Sequence, residues 1–128
     1  MGHFETSEKE IRGILHCHSR YSYDGKLTLS ELRDLSISRG VKFICMTEHT
    51  DDMTSEVARA FVRECDTLSD TTFKFIPGFE VPYQVDEATG NHAHVLMIGC
   101  REFFKPYAPD HATLREWSLH APFVVLAH

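Results

Sequence analysis

His16 and His18 stand one residue apart at the end of an apolar run in "GILHCHSRYSYDG", residues 13–25, and Asp24 follows in the same stretch. Alternate residues of a strand share a face, so both imidazoles can address one site while Cys17 between them turns into the packing. Glu48 and His49 close the run "KFICMTEH", Glu80 lies in "PGFEV", His92 and His94 open "HAHVLMIGC", and His128 ends "VVLAH". Neutral imidazoles mixed with a few carboxylates suit zinc, manganese or iron, whereas an all-oxygen set would suit magnesium or calcium. Donors scattered this widely imply more than one divalent ion, with a carboxylate such as Glu80 able to bridge two. Clustered ions of this kind activate water against a phosphate ester. With nine histidines in 128 residues, roughly 0.6 HxH pairs are expected by chance, so one pair alone carries no weight. The weight lies in the repeated placement of metal-capable residues at strand ends.

Those ends require strands to carry them. "IRGILHCH" reads as a first strand, and "TLSELRDLSISRG" as a helix with Thr28 and Glu31 spaced as a capping box, Leu29, Leu32 and Leu35 on one face, and Gly40 as the stop. "KFICMTEH" reads as one buried strand and "TSEVARAFVRECDTLSD" as a helix capped by Thr54 or Ser55. "FKFIPGFEVPY" and "HAHVLMIGC" read as further strands around the polar turn "QVDEATGN". "DHATLREWSL" reads as a short helix capped by Asp110, and "FVVLAH" as a last buried strand. This alternation is the signature of a parallel α/β architecture, in which ligands gather at the carboxyl ends of the strands. His92 and His94 instead begin their strand, which marks it as an antiparallel insertion. Asp51 and Asp52 are expected to cap the second helix, Trp117 and Leu114 to be core, and His3, His111 and His120 to face solvent. Arg20 and Arg101 are expected to be solvated surface residues.

Composition narrows the class. Hydrophobic content of 42% and charged content of 25% are ordinary for a globular protein. Thirteen basic residues against nineteen acidic ones give a formal charge of −6, which disfavours non-specific binding to nucleic-acid phosphate. Cys17, Cys45, Cys65 and Cys100 show no CxxC spacing and read as small hydrophobes in a reducing compartment. The polar opening "MGHFETSEKE" is no signal peptide, and no run is long enough to span a bilayer, so a cytoplasmic location without membrane partners is expected. Gly2 with Thr6 fits the loose N-myristoylation pattern, one short enough to arise by chance. A closed α/β barrel usually takes about 200 residues or more.

Taken in order, these motifs resemble the PHP family, the polymerase and histidinol phosphatase superfamily, over essentially the whole chain. "LHCHSRYSYDG" resembles its opening HxH motif, "ICMTEHTDD" its TDH motif, "IPGFEV" the motif with a bridging glutamate, "HAHVLMIG" the strand with the next histidine, and "VVLAH" the motif that commonly continues into proline. The resemblance implies a distorted (β/α)7 barrel with a trinuclear metal centre at the strand ends. His16 and His18 would bind one ion with Glu80, which bridges to a second ion completed by His94 and His128. Asp24 and His49 would hold the third, and catalysis would centre on Glu80, His16 and His18. His94 is preferred to His92 because it directly precedes "VLMIG". Glu48 stands where the family more often has aspartate, with an expected role in orienting His49.

The strands present make about half of such a barrel, and the family's later DxH motif does not occur in these 128 residues. The expectation is therefore a single domain, residues 1–128, forming an α/β partial barrel of parallel strands with a short antiparallel insertion. It would be the amino-terminal part of a longer protein, and this fragment alone is expected to lack full activity. The implied function is a metal-dependent phosphoesterase acting on a phosphorylated small molecule or nucleotide with up to three divalent ions. The alternatives are a non-catalytic or polymerase-associated module and another metal-dependent hydrolase, for example one cleaving carbon–nitrogen bonds.

Overall fold

The computed structural model describes residues 10–86, 88 and 91–127. Gly2, His3 and Thr6 lie outside the described residues. Thr28 opens α1 (Leu29–Ser38) with the reciprocal box that the sequence encodes: its hydroxyl accepts from the Glu31 N–H at 3.1 Å, and the Glu31 carboxylate accepts from the Thr28 N–H at 3.0 Å. Gly40, at φ 75°, turns the chain out of that helix. The inward face is Leu29, Leu32 and Ser36, whereas Leu35 is 45% exposed. Seven residues close nearly two full turns, so Ser36 returns to the Leu29 face and Leu35 falls past its edge.

In α2 (Ser55–Thr67), Ala58, Phe61 and Cys65 recur at helical spacing and are buried. Its cap is Thr54, which accepts from the Val57 N–H at 3.2 Å. Asp51 and Asp52 do not cap it; they sit exposed in the preceding turn, too far back to reach the first free N–H groups. In α3 (His111–Ser118), Asp110 accepts from the Thr113 N–H at 2.7 Å and turns Leu114 and Trp117 inward, leaving His111 and His120 exposed.

The strands form two sheets. β1 (Arg12–Cys17), β2 (Val41–Met46) and β4 (Lys74–Ile76) are all parallel, in the order β1-β2-β4. The second sheet has the order β3-β5-β6-β7, from β3 (Glu48–His49), β5 (Gly78–Asp86), β6 (Asn91–Ile98) and β7 (Phe123–Leu126). β3 runs parallel to β5, and β6 runs antiparallel to both β5 and β7. β5 and β7 therefore point the same way, with the reversed strand inserted between them.

Two runs that read as single strands are each split between the sheets. "KFICMTEH" breaks at Thr47, whose N–H donates to the Cys17 carbonyl at 2.9 Å before the chain swings into β3. "FKFIPGFEVPY" breaks at Pro77, which has no N–H to continue a ladder. Gly78 follows because a Cβ there would lie 2.6 Å from the Met97 carbonyl oxygen and 2.8 Å from that of Met46.

Phe61, Phe73, Phe79, Ile44, Met46 and Met97 fill the core between helices and sheets. All four cysteines are free; Cys45, Cys65 and Cys100 are buried and Cys17 half-buried. The expectation of a buried last strand is wrong: every residue of β7 is exposed, Phe123 at 67%. Among the described residues β7 is an edge strand paired with β6, and all four of its apolar side chains are exposed. The sheets do not close into a barrel among the described residues, and no helix among them is long and apolar enough to cross a membrane.

Candidate metal centre

His16 and His18 emerge at the end of β1, and a threonine fixes the first of them. The Thr47 hydroxyl is 2.6 Å from His16 Nδ1, 3.2 Å from the Cys17 N–H nitrogen and 3.3 Å from the Cys17 carbonyl oxygen. The Thr47 hydroxyl thus anchors the Nδ1 edge of His16 and leaves Nε2 facing the site. That Nε2 lies 3.5 Å from Glu80 Oε1, and His18 Nε2 lies 3.3 Å from the same oxygen. Burial, followed by the nearby His49 charge, holds His18 below the usual imidazole range and so favours its neutral form, which can donate a lone pair. Thr47→Val keeps the shape and removes the His16 partner. Its affinity for manganese or zinc is expected to fall about 10–100-fold by calorimetric titration, with the fold retained.

The loop after β1 is tied down by Glu48. This side chain is fully buried. It accepts from the Ser19 N–H at 2.9 Å, from the Ser19 hydroxyl, and from the Ser22 hydroxyl at 2.6 Å. Ser22 Oγ in turn accepts the His49 backbone N–H at 2.9 Å. Glu48 thus reaches His49 through the loop, by way of Ser22. The turn is tight enough that a Cβ on Gly25 would fall 1.7 Å from the Ser19 carbonyl oxygen. It delivers Asp24, whose Oδ2 lies 3.1 Å from His49 Nε2.

Parallel pairing sets His49 opposite Glu80, and antiparallel pairing sets His94 opposite Pro82, so Glu80, Pro82 and His94 share a face. His94 is mid-strand rather than at the start of β6, because the β5–β6 ladder extends beyond the site to Asn91. Its Nδ1 lies 2.7 Å from Glu80 Oε2, and His49 Nδ1 lies 3.6 Å from that oxygen. Burial pushes the Glu80 carboxyl up, but the His94 hydrogen bond and the charges of His49, His18 and His16 outweigh it and hold the group ionised below its ordinary value.

Six of the seven expected ligands therefore converge: His16, His18, Asp24, His49, Glu80 and His94. His128 lies outside the described residues. Their donor atoms form three overlapping sets, each within 4.8 Å: His16, His18 and Glu80; His18, Asp24 and His49; His49, Glu80 and His94. The sets differ from the expected partition, since His18 joins Asp24 and His49, and His49 also joins Glu80 and His94. The donor set fits divalent ions of borderline softness. His49 Nδ1 fits them too: it is buried, makes no hydrogen bond among the described residues, and lies 3.6 Å from Glu80 Oε2, where a cation would satisfy it.

Thr47, Ser19, Ser22 and Tyr23 were not expected at the site. Small hydroxyl residues around an HxH pair were the available signal, and they carry no periodicity. Arg20 and Arg101 are occupied elsewhere, Arg20 donating to the Lys26 carbonyl at 3.1 Å and Arg101 gripping the Asp66 carboxylate. The PHP domain family model matches residues 15–115 of the chain. No curated protein matches it.

Proposed function

Because the chain belongs to the PHP domain family, we propose that its strand-end cluster is the metal centre of a phosphoesterase acting on a phosphorylated small molecule or nucleotide. The observation that carries this reading is one carboxylate, Glu80, facing four imidazoles, two on each oxygen. His16, His18 and Glu80 would hold one ion, Glu80 and His94 with His49 a second, and His18 or His49 with Asp24 a third. Bound zinc, manganese or iron supplies Lewis acidity, activating water and neutralising charge on phosphate oxygens. The chain's own residues aim the imidazoles: the Thr47 hydroxyl anchors His16 at Nδ1, and burial favours the neutral form of His18. Glu80 gathers both pairs of rings around one negative charge. The acidic chain favours a small substrate over a nucleic-acid polyanion.

The reading extends to the architecture. β1 and β7 are edge strands flanking an apolar hollow of about 530 Å³, lined by Leu15, Phe43, Cys45, Ile76, Ile98 and Val125 among others. An apolar sheet interior left open between two edges supports a partial barrel, one domain that further strands complete.

Manganese or zinc in 100-fold excess over its dissociation constant is expected to stabilise the fold by about 2.7 kcal/mol and raise the melting temperature on the order of 10 °C, reversed by chelation. The functional test is hydrolysis of a phosphomonoester panel with these ions, by the longer protein where one carries this domain. Ion uptake with hydrolysis supports the proposal. Ion uptake with turnover only of amides or amidines assigns the site to another hydrolase class, and no uptake overturns the metal centre.

A further inference from the structure

Tyr21 and Tyr23 leave the same loop in opposite directions. Tyr21 turns inward, its ring 5.4 Å from Phe61 and its hydroxyl donating to Glu64 Oε1 at 2.8 Å. Tyr23 turns outward and remains 68% exposed, yet its ring lies over His49 with centroids 4.7 Å apart and planes 26° apart. His18 stacks on His49 as well, at 4.1 Å and 6°. The His49 imidazole is sandwiched between a tyrosine and a second imidazole.

This ring needs its plane held. Nε2 lies 3.1 Å from Asp24 Oδ2 and Nδ1 lies 3.6 Å from Glu80 Oε2, so each nitrogen faces a different carboxylate. A half-turn about the Cβ–Cγ bond would present carbons where the nitrogens stand. His18 supports one face from the rigid end of β1, and the other face would be open to water without Tyr23. The loop places Tyr23 there by a fixed route, because the preceding Ser22 accepts the His49 N–H at 2.9 Å and donates to Glu48 at 2.6 Å. An aromatic ring this exposed gains little from the core, and its flat contact with His49 is the packing it does make.

We propose that Tyr23 is a positioning residue whose ring clamps His49 against His18 and so sets the ring's lone-pair nitrogen for ion capture. The proposal rests on the metal-centre reading above and deepens it. The ring, rather than the hydroxyl, performs the role, so Tyr23→Phe is expected to behave as the native chain and Tyr23→Ala is not. The exposed position makes Tyr23→Ala a change the fold tolerates.

The experiment compares native protein, Tyr23→Phe and Tyr23→Ala in two measurements. The first is calorimetric titration with manganese chloride and with zinc chloride, with elemental analysis of ions per chain. The second is the imidazole proton–nitrogen spectrum of the metal-free protein, assigned with His49→Ala. Tyr23→Ala is expected to lose about 10-fold in affinity for the ions that use His49. Its His49 ring signals are expected to move as the tyrosine ring current is lost, while Tyr23→Phe keeps native affinity and native signals. Native affinity and unmoved His49 signals in Tyr23→Ala overturn the clamp, as does equal loss in both variants, which would transfer the role to the hydroxyl. If the native protein binds no ion, the metal reading fails, and the metal-free spectrum still decides whether Tyr23 holds the ring.

Discussion

Glu80→Gln is expected to remove ion binding at the centre by at least about 100-fold and to take hydrolysis below detection. Glu80 is 1% exposed, with Oε1 facing His16 and His18 and Oε2 facing His94 and His49. Glutamine keeps the shape but offers one acceptor oxygen and one donor amide. Whichever way it turns, one pair of imidazoles meets an N–H instead of a carboxylate, and the charge that draws a cation is gone. Removing a partner that only supports a ligand costs about 10–100-fold in metal affinity, so removing a charge shared by two candidate positions costs more. The measurement is elemental analysis and calorimetric titration with manganese and zinc, beside circular dichroism to show the fold is kept. A folded Glu80→Gln protein that binds the native number of ions would sink the assignment of this carboxylate as the bridge.

The convergence of these residues was legible because of where they fall. His16 and His18 share a face by strand periodicity, and both end an apolar run. Glu80 and His49 are brought opposite each other by parallel pairing, the arrangement that strand–helix–strand order encodes. Capping was legible as well, since the Thr28–Glu31 box and Asp110 act through bonds three residues away.

What was illegible depends on neighbours far along the chain. "KFICMTEH" is uniformly apolar up to its end, and nothing in its pattern says that Met46 and Glu48 belong to different sheets. That division follows from Thr47 bonding to Cys17, thirty residues earlier. The apolar "FVVL" of β7 read as buried because composition reports what a strand can bury, not whether a second layer lies over it. The capping carboxylates assigned to Asp51 and Asp52 lost to Thr54, whose shorter side chain sits at the residue where the helix begins. Glu48 read as a residue that orients His49, and it reaches His49 through Ser22, because adjacent strand residues point to opposite faces. Its partners are serines on the loop after β1.

That geometry makes Glu48→Ala the substitution with the largest expected cost in stability, about 3–5 kcal/mol, lowering the melting temperature on the order of 15 °C. The carboxylate is fully buried and accepts from the Ser19 N–H at 2.9 Å, the Ser19 hydroxyl, and the Ser22 hydroxyl at 2.6 Å. Alanine leaves all three donors in a dry site and opens a cavity where the side chain lay. A serine hydroxyl can rotate to a new acceptor, but the Ser19 N–H is fixed in direction and cannot. Burial pushes the Glu48 carboxyl above its ordinary value against those same hydrogen bonds, so this group is held at a cost that only the intact loop repays. Glu48→Gln, with an amide oxygen left for the Ser19 N–H, is expected to lose roughly 1 kcal/mol. Glu48→Asp retains the charge but falls a methylene short of both serines, and is expected to lie between. The loss reaches function because Tyr23 and Asp24 ride on this loop: Glu48→Ala is expected to weaken ion binding at His49 even below its lowered melting temperature. Denaturant unfolding of the three variants, with manganese titration at 10 °C, gives the order. If Glu48→Ala unfolds within about 1 kcal/mol of the native chain, the buried serine network does not hold the loop, and Asp24 owes its place to something else.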